Sequence, residues 1–213
     1  MIGIIDYNAG NIRSVERALA YLGLEYRISK KPAELEKADR LIFPGDGEAK
    51  FAMRELRSTG FDSFIKDKVA AGTPLLGICL GTQIILSHSE ESDTPCLGLV
   101  PGVVRRFPKG FPSRGLKVPH MGWNSLAKRN GGTALLDGVP ADADFYFVHS
   151  YFIDPEDPKI VTATTDYGMD VPCAVKFGSV EAFQFHPEKS GVPGLRILSN
   201  FARADFARGG APC

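Results

Sequence analysis

Pro74-Leu75-Leu76-Gly77-Ile78-Cys79-Leu80-Gly81-Thr82-Gln83-Ile84-Ile85-Leu86 runs a short apolar strand directly into a helical pattern, with a cysteine at the junction. A short apolar run that passes straight into a helix fits a strand covered on both faces of a parallel sheet. The same alternation extends upstream. Ile2–Ile5 is of strand length, and Asn11 then opens a stretch in which Ile12, Val15, Leu19 and Leu22 fall at helical spacing, with Arg13, Glu16 and Arg17 on the other face. Residues 40–43 (Arg-Leu-Ile-Phe) form a further strand candidate, ended by Pro44-Gly45-Asp46-Gly47, before helical patterns over 48–56 and 61–71.

Downstream the period changes. Strand signals follow one another over 97–107, 117–123, 144–153, 160–165 and 174–185, separated by Gly, Pro and Asp turns. They extend the sheet or pack beside it. Residues 192–208 place Leu195, Leu198, Phe201 and Ala202 on one helical stripe that docks on the sheet, and 209–213 form a frayed tail. The pattern is that of an α/β fold with an open, mostly parallel central sheet and flanking helices.

The chain has 213 residues, 44% of them hydrophobic, which is enough for one substantial core and a single domain over 1–213. Lys plus Arg number 25 and Asp plus Glu number 25, leaving no net field to draw in nucleic acid or an anionic membrane. No apolar run reaches the roughly 18 residues of a membrane-spanning helix, and the N-terminus has no export pattern. Cys79, Cys96, Cys173 and Cys213 are too scattered for a disulfide framework or a zinc site. Reduced thiols in a cytoplasmic protein, with no metal and no cofactor, are the expectation.

Gly77-Ile78-Cys79-Leu80-Gly81 has the form of a nucleophile elbow with cysteine in place of serine. A sharp strand-to-helix turn would lift the thiol out of the core, and a helix N-terminus behind it favours thiolate. Taken alone, the same residues fit a small buried thiol between glycines that permit tight packing. Residues 184–188, Gln-Phe-His-Pro-Glu, alter the balance. In extended chain His186 and Glu188 point to one side, and the intervening proline stiffens the segment, so a base and its orienting carboxylate come from one tripeptide. Alone, that tripeptide fits a solvated turn. Pro44–Gly47 lies at the end of another strand, where loops converge on the site of an open α/β sheet. It is either a simple turn or a source of backbone N–H groups that join that of Leu80 around an oxyanion.

Together, Pro44–Gly47, residues 77–83 and His186-Pro187-Glu188 resemble the class I, or triad, glutamine amidotransferases, whose fold is flavodoxin-like. Residues 117–124, 145–151 and 184–190, with the Ile4-Ile5-Asp6-Tyr7 start, are more narrowly similar to the glutaminase subunits of imidazole glycerol phosphate synthases, and the likeness covers essentially the whole chain. The resemblance implies hydrolysis of L-glutamine through a glutamyl thioester. Ammonia then passes, within a heterodimer, to a (βα)8-barrel cyclase subunit that makes imidazole glycerol phosphate and an aminoimidazole carboxamide ribotide in histidine biosynthesis. Carried over residue by residue, Cys79 matches the nucleophile, His186 the base and Glu188 its orienting carboxylate. Gly47, Gln83, His149, Ser150 and Tyr151 match positions that hold glutamine. Leu80 and the Gly45-Asp46 segment match the oxyanion backbone. Met121, Trp123, Tyr146 and Lys189 match the surface facing the barrel.

Asp46 departs from the family's usual apolar residue, and a carboxylate aimed at an oxyanion would oppose it. Its side chain should therefore face away, with the Gly45–Asp46 peptide turned the wrong way until the partner shifts it. Trp123, the single tryptophan, suits an interface anchor or a core position equally well before the resemblance is considered. Alternative readings are a glutaminase that feeds a different barrel synthase, a silent regulatory module of the same fold, and a cysteine peptidase or esterase. The intact Cys79, His186 and Glu188 set opposes the silent module, and Gln83 with the Pro44–Gly47 loop opposes the peptidase or esterase.

Overall fold

The computed structural model describes residues 1–111 and 115–204. Its N-terminal half alternates strand and helix as the periodicity requires. In order come β1 (Ile2–Ile5), α1 (Ile12–Tyr21), β2 (Tyr26–Ser29), β3 (Arg40–Gly45), α2 (Ala49–Thr59), α3 (Phe61–Ala70), β4 (Leu75–Cys79) and α4 (Leu80–Ile84). Asn11 caps α1, its side chain accepting from the Ser14 N–H at 3.3 Å. Val15, Ala18 and Leu19 of α1 are buried while Arg13 and Arg17 face outward, as the apolar stripe predicts. β1, β4 and β3 after Arg40 are apolar because helices cover both faces of the sheet.

The second half consists of β5 (His88–Ser89), β6 (Thr94–Pro95), β7 (Gly102–Arg106), β8 (His120–Ser125), β9 (Ala127–Lys128), β10 (Asp144–His149), β11 (Tyr151–Pro155), β12 (Val161–Asp166), β13 (Asp170–Phe177), β14 (Val180–Phe183) and α5 (Gly191–Arg203). The main sheet runs β2-β1-β3-β4-β14-β13-β12-β9. It is parallel from β2 to β14 and antiparallel beyond, a mixed sheet with flanking helices whose larger part is parallel, as the sequence leads one to expect. Two smaller sheets, β10-β8 and β11-β7-β5-β6, pack beside it.

Several boundaries differ from the sequence expectation. The run over 97–107 is strand only from Gly102, because the N–H groups of Leu97, Gly98 and Leu99 donate instead to the carbonyls of Ile84, Leu86 and Ile85 and close the end of α4. The segment over 117–123 pairs only from His120, after Pro119, which has no N–H to give. Residues 144–153 split at Ser150 into strands of two different sheets. The run over 174–185 is a hairpin turning at Gly178 and Ser179. β2 escapes the sequence reading because it is an edge strand whose Arg27 is exposed. Within the described residues α5 spans Gly191–Arg203; the rest of the expected helix over 192–208 and the tail over 209–213 lie outside them. No helix of the described residues is long and apolar enough to cross a membrane.

Strand order places the carboxyl ends of β3, β4 and β14 side by side, which gathers the Pro44–Gly47 loop, Cys79 and His186. The junction of β4 and α4 holds because Gly81 has no side chain: a Cβ there would lie 2.0 Å from the Phe43 carbonyl oxygen of β3. At Gly77 a Cβ would come within 2.9 Å of the Ala182 Cβ on β14. Gly81→Ala should therefore destabilise the chain by at least about 3 kcal/mol, since rigid backbone rather than a mobile side chain must yield. Denaturant titration checks this, and near-normal stability would contradict the close approach.

Candidate active site

Cys79 ends β4 with φ 54° and ψ −109°, a left-handed backbone that a non-glycine residue adopts only under constraint. The bend brings the thiol to the edge of the core, 7% exposed, where Sγ lies 3.9 Å from the Val148 carbonyl and 3.9 Å from the Gln184 amide nitrogen. The helix behind it has only five residues, so its dipole contribution is small. The other described cysteines are poorer nucleophiles. Burial pushes the Cys96 thiol up to about 12 and the Cys173 thiol higher still.

His186 follows β14 in extended conformation and Pro187–Lys189 form a single 3₁₀ turn. The segment is tied to β10: the His186 N–H donates to the Tyr146 carbonyl at 2.9 Å, the Ser190 hydroxyl donates to the His186 carbonyl at 2.6 Å, and that hydroxyl accepts from the Tyr146 N–H at 3.0 Å. His186 Nδ1 lies 2.7 Å from Glu188 Oε1, both side chains being almost fully buried. A carboxylate can only accept, so Nδ1 carries a proton in either charge state of the ring, and in the neutral ring the lone pair is on Nε2. Nε2 is buried and makes no hydrogen bond among the described residues. Burial alone would lower the imidazole pKa, but interaction with Cys79, then with Glu188, outweighs it and raises the value to about 9.

These groups open onto a cavity of about 290 Å³ lined by Asp46, Gly47, Cys79, Leu80, Gln83, His149, Ser150, Tyr151, His186 and Lys189, with Glu91, Pro119 and Val148 added. Gly45 is buried behind them. Gln83 and His149 are committed to the wall. The Tyr151 carbonyl accepts from Gln83 Nε2 at 2.9 Å and from His149 Nδ1 at 2.8 Å. His149 Nε2 therefore accepts, and its partner is His120 Nδ1 at 3.0 Å. Burial lowers His149 to about 3 and His120 to about 4, so both are neutral rings of fixed tautomer.

Leu80 and the Gly45–Asp46 peptide face each other. Alternate residues of β3 turn both backbone polar groups toward β4, beginning with the Leu41 N–H, which donates to the Pro74 carbonyl at 2.8 Å. With Gly45 paired to Cys79, the Gly45 carbonyl points at the Leu80 amide. The Asp46 N–H consequently points away, while the Asp46 side chain is exposed and Gly47 has φ +84°.

On the same side, β8 leaves Met121 61% and Trp123 57% exposed, which settles Trp123 as a surface residue. Tyr146 stands edge-on to Trp123 with ring centroids 5.9 Å apart, and Lys189 Nζ lies 5.9 Å from the Tyr146 ring centre.

Residues 3–204 match the family model of the class-I glutamine amidotransferases. The chain belongs to that family. It is 49% identical over 212 residues to imidazole glycerol phosphate synthase subunit HisH of Geobacillus kaustophilus, covering 98% of this chain and 99% of that one. To the HisH subunit of Herpetosiphon aurantiacus it is 44% identical over 210 residues, covering 98% and 97%. A glutamine amidotransferase crystal structure superposes with a TM-score of 0.70 at 25% identity over 94% of this chain and 98% of that one. PurLQS from Thermotoga maritima shares the fold, with a TM-score of 0.71 at 18% identity over 94% and 96%.

In this class I amidotransferase chain the residue that sequence reasoning missed is Glu91. It stands twelve positions after Cys79 in a polar stretch with no periodic signal, and only the folding of that loop over the cavity brings it in. Its Oε2 accepts from the Ala49 N–H at 2.8 Å, and burial holds its pKa above the usual carboxylate value.

The His186 linkage has a definite sign. Its folded pKa, about 9, exceeds the unfolded value of about 6.5, so the stabilisation is complete below about pH 6.5 and is lost as pH rises through about 9. Glu188→Gln, which removes the partner charge, should destabilise the chain most at pH 6, with the deficit shrinking by pH 10. Denaturant melts of both chains at the two pH values measure this; a deficit independent of pH would contradict the ion pair.

Proposed function

We propose that the chain is the glutaminase subunit of an imidazole glycerol phosphate synthase, hydrolysing L-glutamine at Cys79 and delivering ammonia to a cyclase partner. The observation that carries the reading is the thiol on its strained bend with a buried His186–Glu188 pair beside it, in a chain that matches HisH subunits along nearly its whole length.

The chemistry follows from those groups. Cys79 Sγ attacks the side-chain amide carbon of glutamine while His186 Nε2 takes the thiol proton, and Glu188 stabilises the resulting imidazolium. The tetrahedral oxyanion accepts hydrogen bonds from the Leu80 N–H and, once the Gly45–Asp46 peptide turns over, from the Asp46 N–H. His186 then returns its proton to the departing nitrogen, ammonia leaves, and a glutamyl thioester remains. A water deprotonated by His186 attacks that thioester, releasing glutamate and restoring the thiol. Of the two carboxylates in the lining, Asp46 is exposed and Glu91 is half-buried, and Glu91 suits the α-ammonium of the substrate. Gln83, His149 and Tyr151 keep the opposite wall in place, with Gly47 and Ser150 presenting backbone to the ligand.

The partner reading, a (βα)8 barrel docking in a heterodimer, is supported by the exposed Met121 and Trp123 of β8, beside the cavity mouth at Pro119 and Lys189. Ammonia freed into water at neutral pH is mostly protonated and no longer attacks an electrophile. A cavity that opens under the docking surface keeps it nucleophilic.

Cys79→Ala should abolish glutamine-dependent synthesis by the complex while synthesis from added ammonium salt persists; loss of both would contradict remote delivery. Glu91→Gln should raise the KM for glutamine about tenfold or more with a smaller change in kcat, as loss of one charge-assisted contact predicts. An unchanged KM in steady-state assays would remove Glu91 from substrate recognition.

A further inference from the structure

Tyr7 follows β1 and is fully buried, its ring 5.3 Å from that of Phe43 on β3. Among the described residues its hydroxyl has no hydrogen-bond partner. A hydroxyl sealed from water without a partner is unfavourable, and phenylalanine would fill the same space without that cost. The hydroxyl has a definite neighbour, however. A Cβ built on Gly45 would fall 2.6 Å from the Tyr7 oxygen, closer than any other atom. The orphan O–H therefore lies against the residue whose carbonyl occupies the Leu80 amide.

Turning the Gly45–Asp46 peptide over exchanges its two polar groups. The Asp46 N–H comes round to the β4 side, next to the Leu80 N–H, and the Gly45 carbonyl swings away from β4. Sheet order is β1-β3-β4, so away from β4 means toward β1 and the turn that follows it, to which Tyr7 belongs; its hydroxyl stands over Gly45, where Gly81 N and Leu80 Cβ come within 3.0 Å of the same Cβ position. That turn already abuts this stretch of β3: a Cβ on Gly10 would sit 3.3 Å from the Pro44 carbonyl oxygen. A carbonyl arriving there loses the Leu80 donor and needs another one.

We propose that the Tyr7 hydroxyl is the donor that receives the Gly45 carbonyl when the Gly45–Asp46 peptide turns over, making Tyr7 a positioning residue for the oxyanion site. In the conformation described here the hydroxyl waits without a partner and Leu80 is occupied; in the turned conformation both backbone donors face the substrate and Tyr7 donates to Gly45. The cost of the unpartnered hydroxyl biases the loop toward the competent arrangement. The inference rests on the proposed glutaminase reaction at Cys79.

Tyr7→Phe removes the hydroxyl alone. The variant, assayed in complex with the cyclase subunit, should fold with an unchanged or raised Tm, keep the KM for glutamine and lose about tenfold in kcat for glutamine hydrolysis, the effect of one hydrogen bond. Ammonium-dependent synthesis should be unaltered. A kcat equal to that of the parent would overturn the proposal, as would an equal decline of glutamine-dependent and ammonium-dependent rates. Should the variant not fold, a single 3-fluorotyrosine at position 7 gives a second readout: its ¹⁹F resonance should shift when cyclase and a glutamine-mimicking diazoketone are added together, and a stationary resonance in the labelled complex would overturn the proposal. The parent complex and Cys79→Ala serve as controls. If the parent releases no glutamate from glutamine, or Cys79→Ala still does, the glutaminase reading fails; if both behave as expected and Tyr7→Phe matches the parent, only the Tyr7 assignment fails.

Discussion

The contact between Gly81 and the Phe43 carbonyl is the constraint on which the rest of the molecule depends. It lets α4 begin immediately against β3, and that proximity forces Cys79 to reverse the chain with a positive φ. From that bend follow the presentation of the thiol, the orientation of the Leu80 amide and the position of the Pro44–Gly47 loop above it. The β4–β14 pairing then delivers His186 from more than a hundred residues away to the same rim, so the reacting pair is joined through the sheet rather than along the chain. Rigidity of this kind suits a nucleophile, because a displacement of an ångström at either group costs rate steeply.

The legible part of the fold was the part with strong periodicity. The apolar strands β1, β3 and β4 and the stripes of α1 and α5 stand out because burial on both faces, or on one helical face, writes itself into residue type. The β-rich half was legible as strand but not as topology. Nothing between Phe145 and Ile153 marks Ser150 as the point where the chain changes sheets, since both flanks are equally apolar and the partners that choose the sheet, β7 and β8, lie far away in sequence. Edge strand β2, with its exposed Arg27, carries too little apolar character to register.

At the site the division is similar. Cys79, His186 and Glu188 were legible because each sits in a short motif whose backbone demands are local. Glu91 was not, because a lone carboxylate in a polar loop has the same appearance whether it faces solvent or a cavity. His149 was placed by resemblance among residues that hold glutamine, yet both its ring nitrogens are engaged within the protein, with Tyr151 and with His120. Tyr7 belongs to the start of the chain and looks like core from sequence; only the missing partner of its oxygen distinguishes it from a phenylalanine.

The stacked His120, 3.9 Å from the Tyr167 ring centre, and its neighbour His149 carry an acid liability for the whole chain. Both rings bind protons far less readily when folded than the usual value of about 6.5 for an unfolded histidine. Two sites that stay unprotonated in the native chain are filled on unfolding once the solution turns mildly acidic, so between about pH 6.5 and the folded values near 4 and 3 each unit of acidification shifts the balance toward the open chain. His186 is linked to protons in the opposite direction, and the three imidazoles together confine the tolerance of this molecule to a band on the neutral side of that range.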